Sequence, residues 1–379
     1  MHLLSMHQSD NVTEESMTHI QSTSDLKEYY GAANTGAGFY SLFNNIFSPE
    51  KIEKIYILKG GPGCGKSTAL KKIAEYALNK GLDIEKYYCS SSPSSLDGVI
   101  IPKISTAVLD GTAPHTVDPK YPAVCENIIN LGESWDLNKA TDINVKIREL
   151  VKKKAEAYQR AYAYLSSCIS AEEVIDNCLK GYLLEDKLFS AVERICSKIK
   201  LKKSDGKTSK VFTDCICGNG NVHLNTFEKL SSTRYFIKDY ADISGVFYGM
   251  LANELTSRGA NITVALNPLS PDKYKGIYID DSDISFTEYD DEFCLSLDRK
   301  QLPYKIINTA RFCNGAKFKK NKVFYKYADK SRKILMNGAI KQLSIAANAH
   351  DETEKLYYNI TDFSKVQQLT ENLIVKIFE

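Results

Sequence analysis

The stretch that decides the fold is Gly60-Gly61-Pro62-Gly63-Cys64-Gly65-Lys66-Ser67. Its spacing, G-x-x-x-x-G-K-S, is that of a Walker A loop, in which glycines allow backbone amides to turn toward phosphate oxygens. In such a loop Lys66 would reach the β- and γ-phosphates of a nucleotide, and the Ser67 hydroxyl would ligate Mg²⁺. The residues expected to contact the triphosphate are Gly61, Pro62, Gly63, Cys64, Gly65, Lys66, Ser67 and Thr68.

The sequence on both sides of this loop predicts a strand, a loop and a helix. Residues 55–58 form a short apolar run, as a buried parallel strand requires. After the loop, apolar residues recur at helical spacing as far as Gly81. A phosphate would therefore lie at a helix N-terminus, where free amides and the helix dipole favour an anion. The alternative, a glycine-rich turn without a ligand, is disfavoured because both flanks match.

Composition sets broad limits on the kind of protein. The chain has 379 residues, 43% hydrophobic and 25% charged, as in globular proteins with one or two domains. A net charge of +2 gives no electrostatic reason to expect nucleic acid or an anionic membrane as a partner. No apolar run approaches the ~20 residues of a membrane span. Residues 1–24 are polar and are predicted to form a disordered leader, not a signal peptide.

Cysteine usage points to a reducing compartment. The ten cysteines are scattered, and no export signal accompanies them, so we expect reduced thiols in a cytoplasmic protein. Cys215 and Cys217 are the one closely spaced pair in the sequence. A metal site at this pair is disfavoured because no histidine or second pair follows at zinc-site spacing.

The chain also repeats itself. A shift of 178 residues places Ile84 on Ile262 and Gly98 on Gly276, and it superimposes Ile-Ile-Asn at 128–130 on Ile-Ile-Asn at 306–308. We predict an α/β fold made by tandem duplication, each copy a parallel sheet flanked by helices with a helical C-terminal extension. The predicted domains are residues 25–201, which carry the intact loop, and residues 211–379.

The second copy has lost the features that bind phosphate. Opposite the loop it reads Asp239-Tyr240-Ala241-Asp242-Ile243-Ser244-Gly245-Val246, with no lysine as far as Met250. Two aspartates would repel phosphate, and bulky side chains enter where a close backbone approach is needed. We interpret this segment as a lost phosphate site on a retained fold. The alternative is a different ligand in the same crevice, because open α/β sheets bind ligands at the carboxyl ends of their strands.

In the first copy, the patterns predict a strand over 54–58, a helix over 66–79, a strand over 84–88, a Ser/Pro-rich loop over 89–98 and a strand that ends at Asp110. With Ser67, Asp110 would complete the Mg²⁺ site; the alternative is an ordinary turn acid before Gly111. Gly111 stands where many ATPases of this kind carry a glutamate. Asp97 and His115 are therefore the candidates for orienting the attacking water. His115 could instead bind the γ-phosphate, or it could equally cap a loop.

The rest of each half is predicted to be helical. Apolar residues recur at helical spacing over 143–165 and again over 183–199, which predicts an appended hairpin or bundle. A basic group lies on the first of these stretches and comprises Arg148, Lys152, Lys153, Lys154 and Arg160. A solvated helix face is the favoured interpretation. The alternative is a basic lid that closes over nucleotide phosphates.

Several segments carry a resemblance to a known family. Residues 55–68 resemble P-loop nucleoside triphosphatases in general. Residues 34–40 (NTGAGFY), 94–102 (SSLDGVIIP), 110–121 (DGTAPHTVDPKY) and 128–135 (IINLGESW) resemble a bacterial family of duplicated P-loop ATPase-like proteins. The resemblance covers most of the chain from about residue 30, and it implies ATP binding and two P-loop NTPase-like domains. Members of that family usually carry a recognisable Walker loop in each domain, and this chain departs from the pattern in its second half.

Together these observations predict ATP binding with Mg²⁺-dependent hydrolysis at a single site in the first half. The catalytic candidates are Lys66, Asp110, His115 and Asp97, the metal candidates are Ser67 and Asp110, and the second half would be structural or regulatory. A small-molecule or nucleotide kinase is the alternative that accounts for the missing glutamate, because a substrate group would replace the water. A nucleotide-gated interaction protein without hydrolysis is the third. A protein partner or a homo-oligomer is left open.

Overall fold

The computed structural model describes residues 25–202, 204–290 and 304–379. The predicted leader, residues 1–24, lies outside these ranges. The first half contains β1 (Leu26–Tyr30), β2 (Ala32–Thr35), β3 (Gly38–Ser41), α1 (Phe43–Ile46), β4 (Lys54–Lys59), α2 (Lys66–Asn79), β5 (Ile84–Tyr88), β6 (Leu96–Ile101), β7 (Thr106–Asp110), β8 (Glu126–Asn130), α3 (Leu137–Tyr182) and α4 (Glu185–Cys196).

The second half repeats this order of elements. It contains β9 (Thr208–Val211), β10 (Asp214–Cys217), β11 (Gly220–His223), α5 (Thr226–Leu230), β12 (Thr233–Lys238), α6 (Ser244–Ser257), β13 (Ile262–Leu266), β14 (Tyr274–Ile279), β15 (Ile284–Glu288), β16 (Tyr304–Asn308), α7 (Gly315–Tyr358) and α8 (Phe363–Phe378). From α2 onward, the elements named here in the first half begin 178 residues before their counterparts, as the sequence repeat predicts.

Each half builds a six-stranded sheet with the same strand order. The first sheet runs β1-β5-β6-β7-β4-β8, and the second runs β9-β13-β14-β15-β12-β16. The prediction of an α/β fold with two helix-flanked sheets is confirmed. Identical strand order in both halves is the result that a tandem duplication would produce.

The prediction of a purely parallel sheet was wrong for one strand in each half. β6 pairs antiparallel with β5 and β7, and β14 pairs antiparallel with β13 and β15. The loop predicted over 89–98 is shorter in the structure, because β6 begins at Leu96. Only residues 89–95 connect β5 to β6, and a parallel connection needs about a dozen residues or more. A reversal of direction is the geometry that so short a connection permits.

The helical portion of each half is dominated by one long helix. The stretch predicted over 143–165 belongs to α3, a single helix of 46 residues, and its counterpart α7 has 44. The two helices pack side by side in antiparallel orientation. At one end of the pair the Tyr182 ring meets the Phe318 ring, and further along a β-carbon on Gly338 would lie 2.9 Å from the Tyr164 ring.

The short C-terminal helices are exchanged between the halves. α4 belongs to the first half by sequence, but Leu188 and Val192 are buried in one core with Phe247 and Leu251 of α6. In the same way, α8 buries Leu373 and Ile377 against the residues of α2 that line the first sheet. Each α/β core is therefore completed by a helix from the other half of the chain, whereas the sequence repeat divides the chain at 25–201 and 211–379.

In the part of the chain that the structure describes, no helix combines the length and the apolar character needed to cross a bilayer.

The exchange of helices predicts an asymmetric response to mutation along α4. Leu188→Ala is expected to lower the free energy of unfolding by about 2–5 kcal/mol, because a fully buried leucine is lost from a core that α6 shares. Phe189→Ala, one residue on, removes a side chain that is 46% exposed and is expected to have little effect. Urea unfolding followed by circular dichroism measures both variants. Equal losses in the two would contradict the packing of α4 on α6.

Candidate functional site

The centre of the candidate site is the loop of residues 60–65, which joins β4 to α2 and is called the glycine loop below. Gly63 and Gly65 have φ angles of +70° and +88°, a backbone region that residues with a β-carbon rarely adopt. Space is restricted as well, because a β-carbon on Gly63 would lie 2.6 Å from the carbonyl oxygen of Glu354. Both positions therefore require glycine.

The predicted contact residues follow the loop into the helix. Gly61 to Gly65 form the loop, and Lys66, Ser67 and Thr68 make the first turn of α2. Cys64 is buried, and Thr68 is exposed. The N-cap residue of α2 is Gly65, which has no side chain to accept a hydrogen bond from the first amides of the helix. An uncapped helix start carries partial positive charge.

Lys66 is folded back over the glycine loop. Its ammonium donates hydrogen bonds of 2.8 Å to the carbonyl oxygens of both Gly60 and Gly61. It also lies 3.6 Å from Oδ2 of Asp110, and both side chains are largely buried. The ammonium is thereby fixed between the loop backbone and the carboxylate.

Asp110 occupies the strand end that the sequence predicts. β7 pairs in parallel with β4, and the register places Asp110 beside Leu58. Its Oδ1 accepts hydrogen bonds from the backbone and hydroxyl of Thr112, which leaves Oδ2 directed toward Lys66. The Ser67 hydroxyl accepts a hydrogen bond from the Leu96 backbone at the start of β6.

Asp97 and His115 join the same cluster from β6 and from the segment after β7. Both are more than nine-tenths buried, and Nε2 of His115 lies 3.8 Å from Oδ2 of Asp97. The imidazole stacks on the Phe43 ring at a centroid distance of 4.4 Å. Ligand atoms of Asp97, Asp110 and His115 all lie within 4.8 Å of one another. The four predicted catalytic candidates are thus brought together.

The electrostatics of the cluster reflect its burial. Burial, followed by the negative charge of Asp110, raises the pKa of Asp97 to about 8. Burial likewise lowers the pKa of the His115 imidazole. Both shifts show that this pocket disfavours uncompensated charge.

Helix α7 of the second half passes over the glycine loop and contributes residues that the sequence did not indicate. The proximity of the Gly63 backbone amide lowers the pKa of the Glu354 carboxyl group, while burial, the larger effect, raises it. His350 lies one helical turn earlier, with Nε2 3.5 Å from the Glu354 carboxylate. Trp135 and Tyr357 lie over Gly61, with ring centroids 5.5 Å apart.

Lys154 reaches the same place from α3. Its ammonium lies 3.1 Å from Nδ1 of His350, and the side chain is half-buried. The prediction of a solvated helix face holds for Arg148, Lys152, Lys153 and Arg160, which are exposed, but was wrong for Lys154. The sequence did contain a signal, because Lys154 is spaced four and eight residues from the half-buried Tyr158 and Tyr162 on one helix face.

The corresponding place in the second half carries different chemistry. Asp239 accepts hydrogen bonds from the backbone amides of Asp242 and Ser244, so a carboxylate of the chain itself occupies this helix start. Arg332, which replaces Lys154, lies 3.0 Å from Asp242. A cavity of about 1270 Å³ opens beside this loop. These contacts support the prediction that the second loop does not hold phosphate.

The acid cluster is also altered in the second half. Lys275 replaces Asp97, and Glu288 replaces Asp110. The Lys275 ammonium lies 3.0 Å from Glu288 and 3.1 Å from Asp214. His223 adds a further contact, with Nδ1 3.1 Å from Asp214. Charges at this place are therefore compensated by side chains of the protein.

Comparison with known proteins assigns no relationship: no family model, no curated protein and no solved structure matches the chain.

The contacts of His223 predict a pH dependence of stability. Burial alone would lower its pKa, but Asp214 and Glu228 together raise it from 6.5 to about 10. Because the folded-state pKa is the higher one, the stabilisation is complete below pH 6.5 and is lost as the pH rises through 10. His223→Gln should therefore destabilise the protein at pH 6, with the difference from wild type shrinking toward pH 10. Urea midpoints at pH 6, 8 and 10 measure this difference, and a difference that does not change with pH would refute the assignment.

Proposed function

We propose that the chain binds ATP at the glycine loop and hydrolyses it with Mg²⁺ at this single site, while the second half covers the site and regulates it. The observation that carries the proposal is the convergence of Lys66 and Asp110 on an uncapped helix start whose loop requires glycine. This combination matches the needs of a triphosphate: directed amides, a lysine, and an acid that can hold Mg²⁺ through its water shell.

The residues around the loop have separate roles in this proposal. The amides of the loop and of the first turn of α2 would bind phosphate oxygens. The Lys66 ammonium would exchange the carbonyl oxygens of Gly60 and Gly61 for the β- and γ-phosphates. The Ser67 hydroxyl and Oδ2 of Asp110 would hold Mg²⁺. Phosphoryl transfer depends mainly on such positioning and charge stabilisation.

The helix from the second half favours an ATPase that couples hydrolysis to a change of conformation. The Glu354 carboxyl group lies near the Gly63 amide, where an incoming phosphate would bind, and two negative groups would repel each other there. Nucleotide binding would therefore displace this part of α7, and the long pair of α3 and α7 would carry the displacement into the second half. Lys154, beside His350, would add positive charge facing the phosphates.

Phosphoryl transfer to a small molecule is the second candidate, and Gly111 favours it. The strand acid Asp110 is followed by this glycine, where a glutamate would orient water in many ATPases. A hydroxyl or phosphate of a second substrate would need no such group. Asp97 and His115 are the residues that would orient water if the reaction is hydrolysis.

Purified protein with Mg·ATP distinguishes these candidates. We expect Lys66→Ala to lower phosphate release by roughly 100-fold or more, because a positioned charge on the transferred phosphoryl group is lost. Gly245→Ala, in the first turn of α6, is the control in the second half. It should match wild type, since a β-carbon at this position would meet no atom of the described residues within 4 Å.

The same assay is repeated with a metabolite extract, and new phosphorylated species are followed. Transfer to a metabolite with negligible phosphate release would replace the ATPase by a kinase. Tight nucleotide binding with neither product would leave a nucleotide-gated switch. A lack of ATP binding by wild type would overturn the proposed function.

A further inference from the structure

We propose that Asp97, Asp110 and His115 form a binding site for one divalent transition-metal ion, for which Mn²⁺ is the test ion. This site differs from the Ser67–Asp110 pair expected to serve Mg²⁺ with the triphosphate, because it adds a second carboxylate and an imidazole. Its contribution to catalysis rests on the proposed function, whereas the ion site itself requires no nucleotide.

The geometry of the three side chains suits a single ion. Their ligand atoms lie within 4.8 Å of one another, and the closest carboxylate–imidazole approach in the cluster is 3.8 Å. Two atoms at that separation can both lie about 2–2.3 Å from one ion. They are too far apart for a direct hydrogen bond, so the protein alone does not pair His115 with Asp97.

His115 provides the second indication of a ligand. The side chain is 8% exposed, and its Nδ1 has no hydrogen-bond partner among the described residues. Stacking on Phe43 fixes the plane of the imidazole, with Nε2 toward Asp97. The imidazole is therefore held beside two acids, with Nε2 as the nitrogen that would ligate an ion and Nδ1 as the nitrogen without a hydrogen-bond partner among the described residues.

The second half gives independent support, because there a side-chain cation occupies the corresponding place. Lys275 replaces Asp97, and its ammonium lies 3.0 Å from Glu288, which replaces Asp110. Lys275 also forms an ion pair with Asp214, so its ammonium contacts two carboxylates. In the second half, therefore, the positive charge at this place comes from a side chain. In the first half this place is lined by Asp97, Asp110 and His115, with the Lys66 ammonium 3.6 Å from Asp110, and a bound ion would add positive charge beside Asp97 and His115.

The donor set determines which ion is favoured. Carboxylate oxygens suit Mg²⁺, Ca²⁺ and Mn²⁺, whereas imidazole nitrogen suits transition metals. Two carboxylates with one imidazole therefore favour a divalent transition-metal ion over Mg²⁺ and Ca²⁺, and Mn²⁺ is the member of that group that carboxylates also suit. Asp110 accepts hydrogen bonds from Thr112 through Oδ1, so Oδ2, which lies 3.6 Å from the Lys66 ammonium, is the oxygen that would ligate the ion.

The test measures Mn²⁺ binding to the full chain without nucleotide, by the loss of the free Mn²⁺ signal in electron paramagnetic resonance. Wild type should bind one Mn²⁺ and retain it against excess Mg²⁺. Asp97→Lys imitates Lys275 and should fold but lose the ion. Asp97→Asn serves as a second variant in case the lysine prevents folding, and should bind Mn²⁺ at least ~10-fold more weakly.

Two further variants test the donor set. His115→Gln removes the imidazole and should reduce the preference for Mn²⁺ over Mg²⁺. Glu288→Gln removes the corresponding acid of the second half and should bind Mn²⁺ as wild type does. The proposal is overturned if wild type does not bind Mn²⁺, or if both Asp97 variants bind it unchanged. Because nucleotide is absent, these results do not depend on whether ATP binds, and the phosphate-release assay tests that question separately.

Discussion

The contact between Gly63 and helix α7 is the constraint on which the site depends. The backbone of Gly63 has a left-handed φ and passes so close to Glu354 that a β-carbon would lie 2.6 Å from its carbonyl oxygen. This one contact therefore requires glycine at position 63 of the first half and holds the backbone of α7 at Glu354 against the glycine loop. The exchange of α4 and α8 supports the same arrangement, because each core is completed by the other half. The two halves are therefore parts of one structure around one loop.

The two halves carry different charged side chains at corresponding positions, namely at the start of α2 or α6 and at the neighbouring acid cluster. In the first half, buried acids and an imidazole surround a position beside Lys66, and the helix start is uncapped. In the second half, Lys275 lies among acids, and the Asp239 carboxylate accepts a hydrogen bond from the first amide of α6. Side chains thus balance one another at the second place, and at the first place we propose that a cation and a phosphate bind beside Lys66 and Asp110. Such divergence on a shared fold accounts for a single candidate nucleotide site in a chain with two sheets.

The sequence predicted the features that depend on local pattern. β4, the glycine loop, α2 and the position of Asp110 follow from apolar runs and glycine spacing over a few residues, and the 178-residue repeat predicted the second sheet. The direction of β6 was missed although the short 89–95 connection implied it. The roles of His350 and Glu354 had no local signal, because they result from the antiparallel pairing of α3 with α7 across nearly 200 residues of sequence. The prediction that Lys154 is solvated was wrong because its helical spacing from Tyr158 and Tyr162 places it on the packed face of α3.

The central claim is that this duplicated chain has one nucleotide site, at the glycine loop of its first half. Equilibrium dialysis of the full chain with a non-hydrolysable ATP analogue and Mg²⁺ tests it most directly. With one nucleotide site, we expect saturation at one analogue per chain. Saturation at two would show that residues 239–246 of the second half also bind nucleotide. No binding would show that the glycine loop does not hold a triphosphate. Either result would contradict the claim of one nucleotide site.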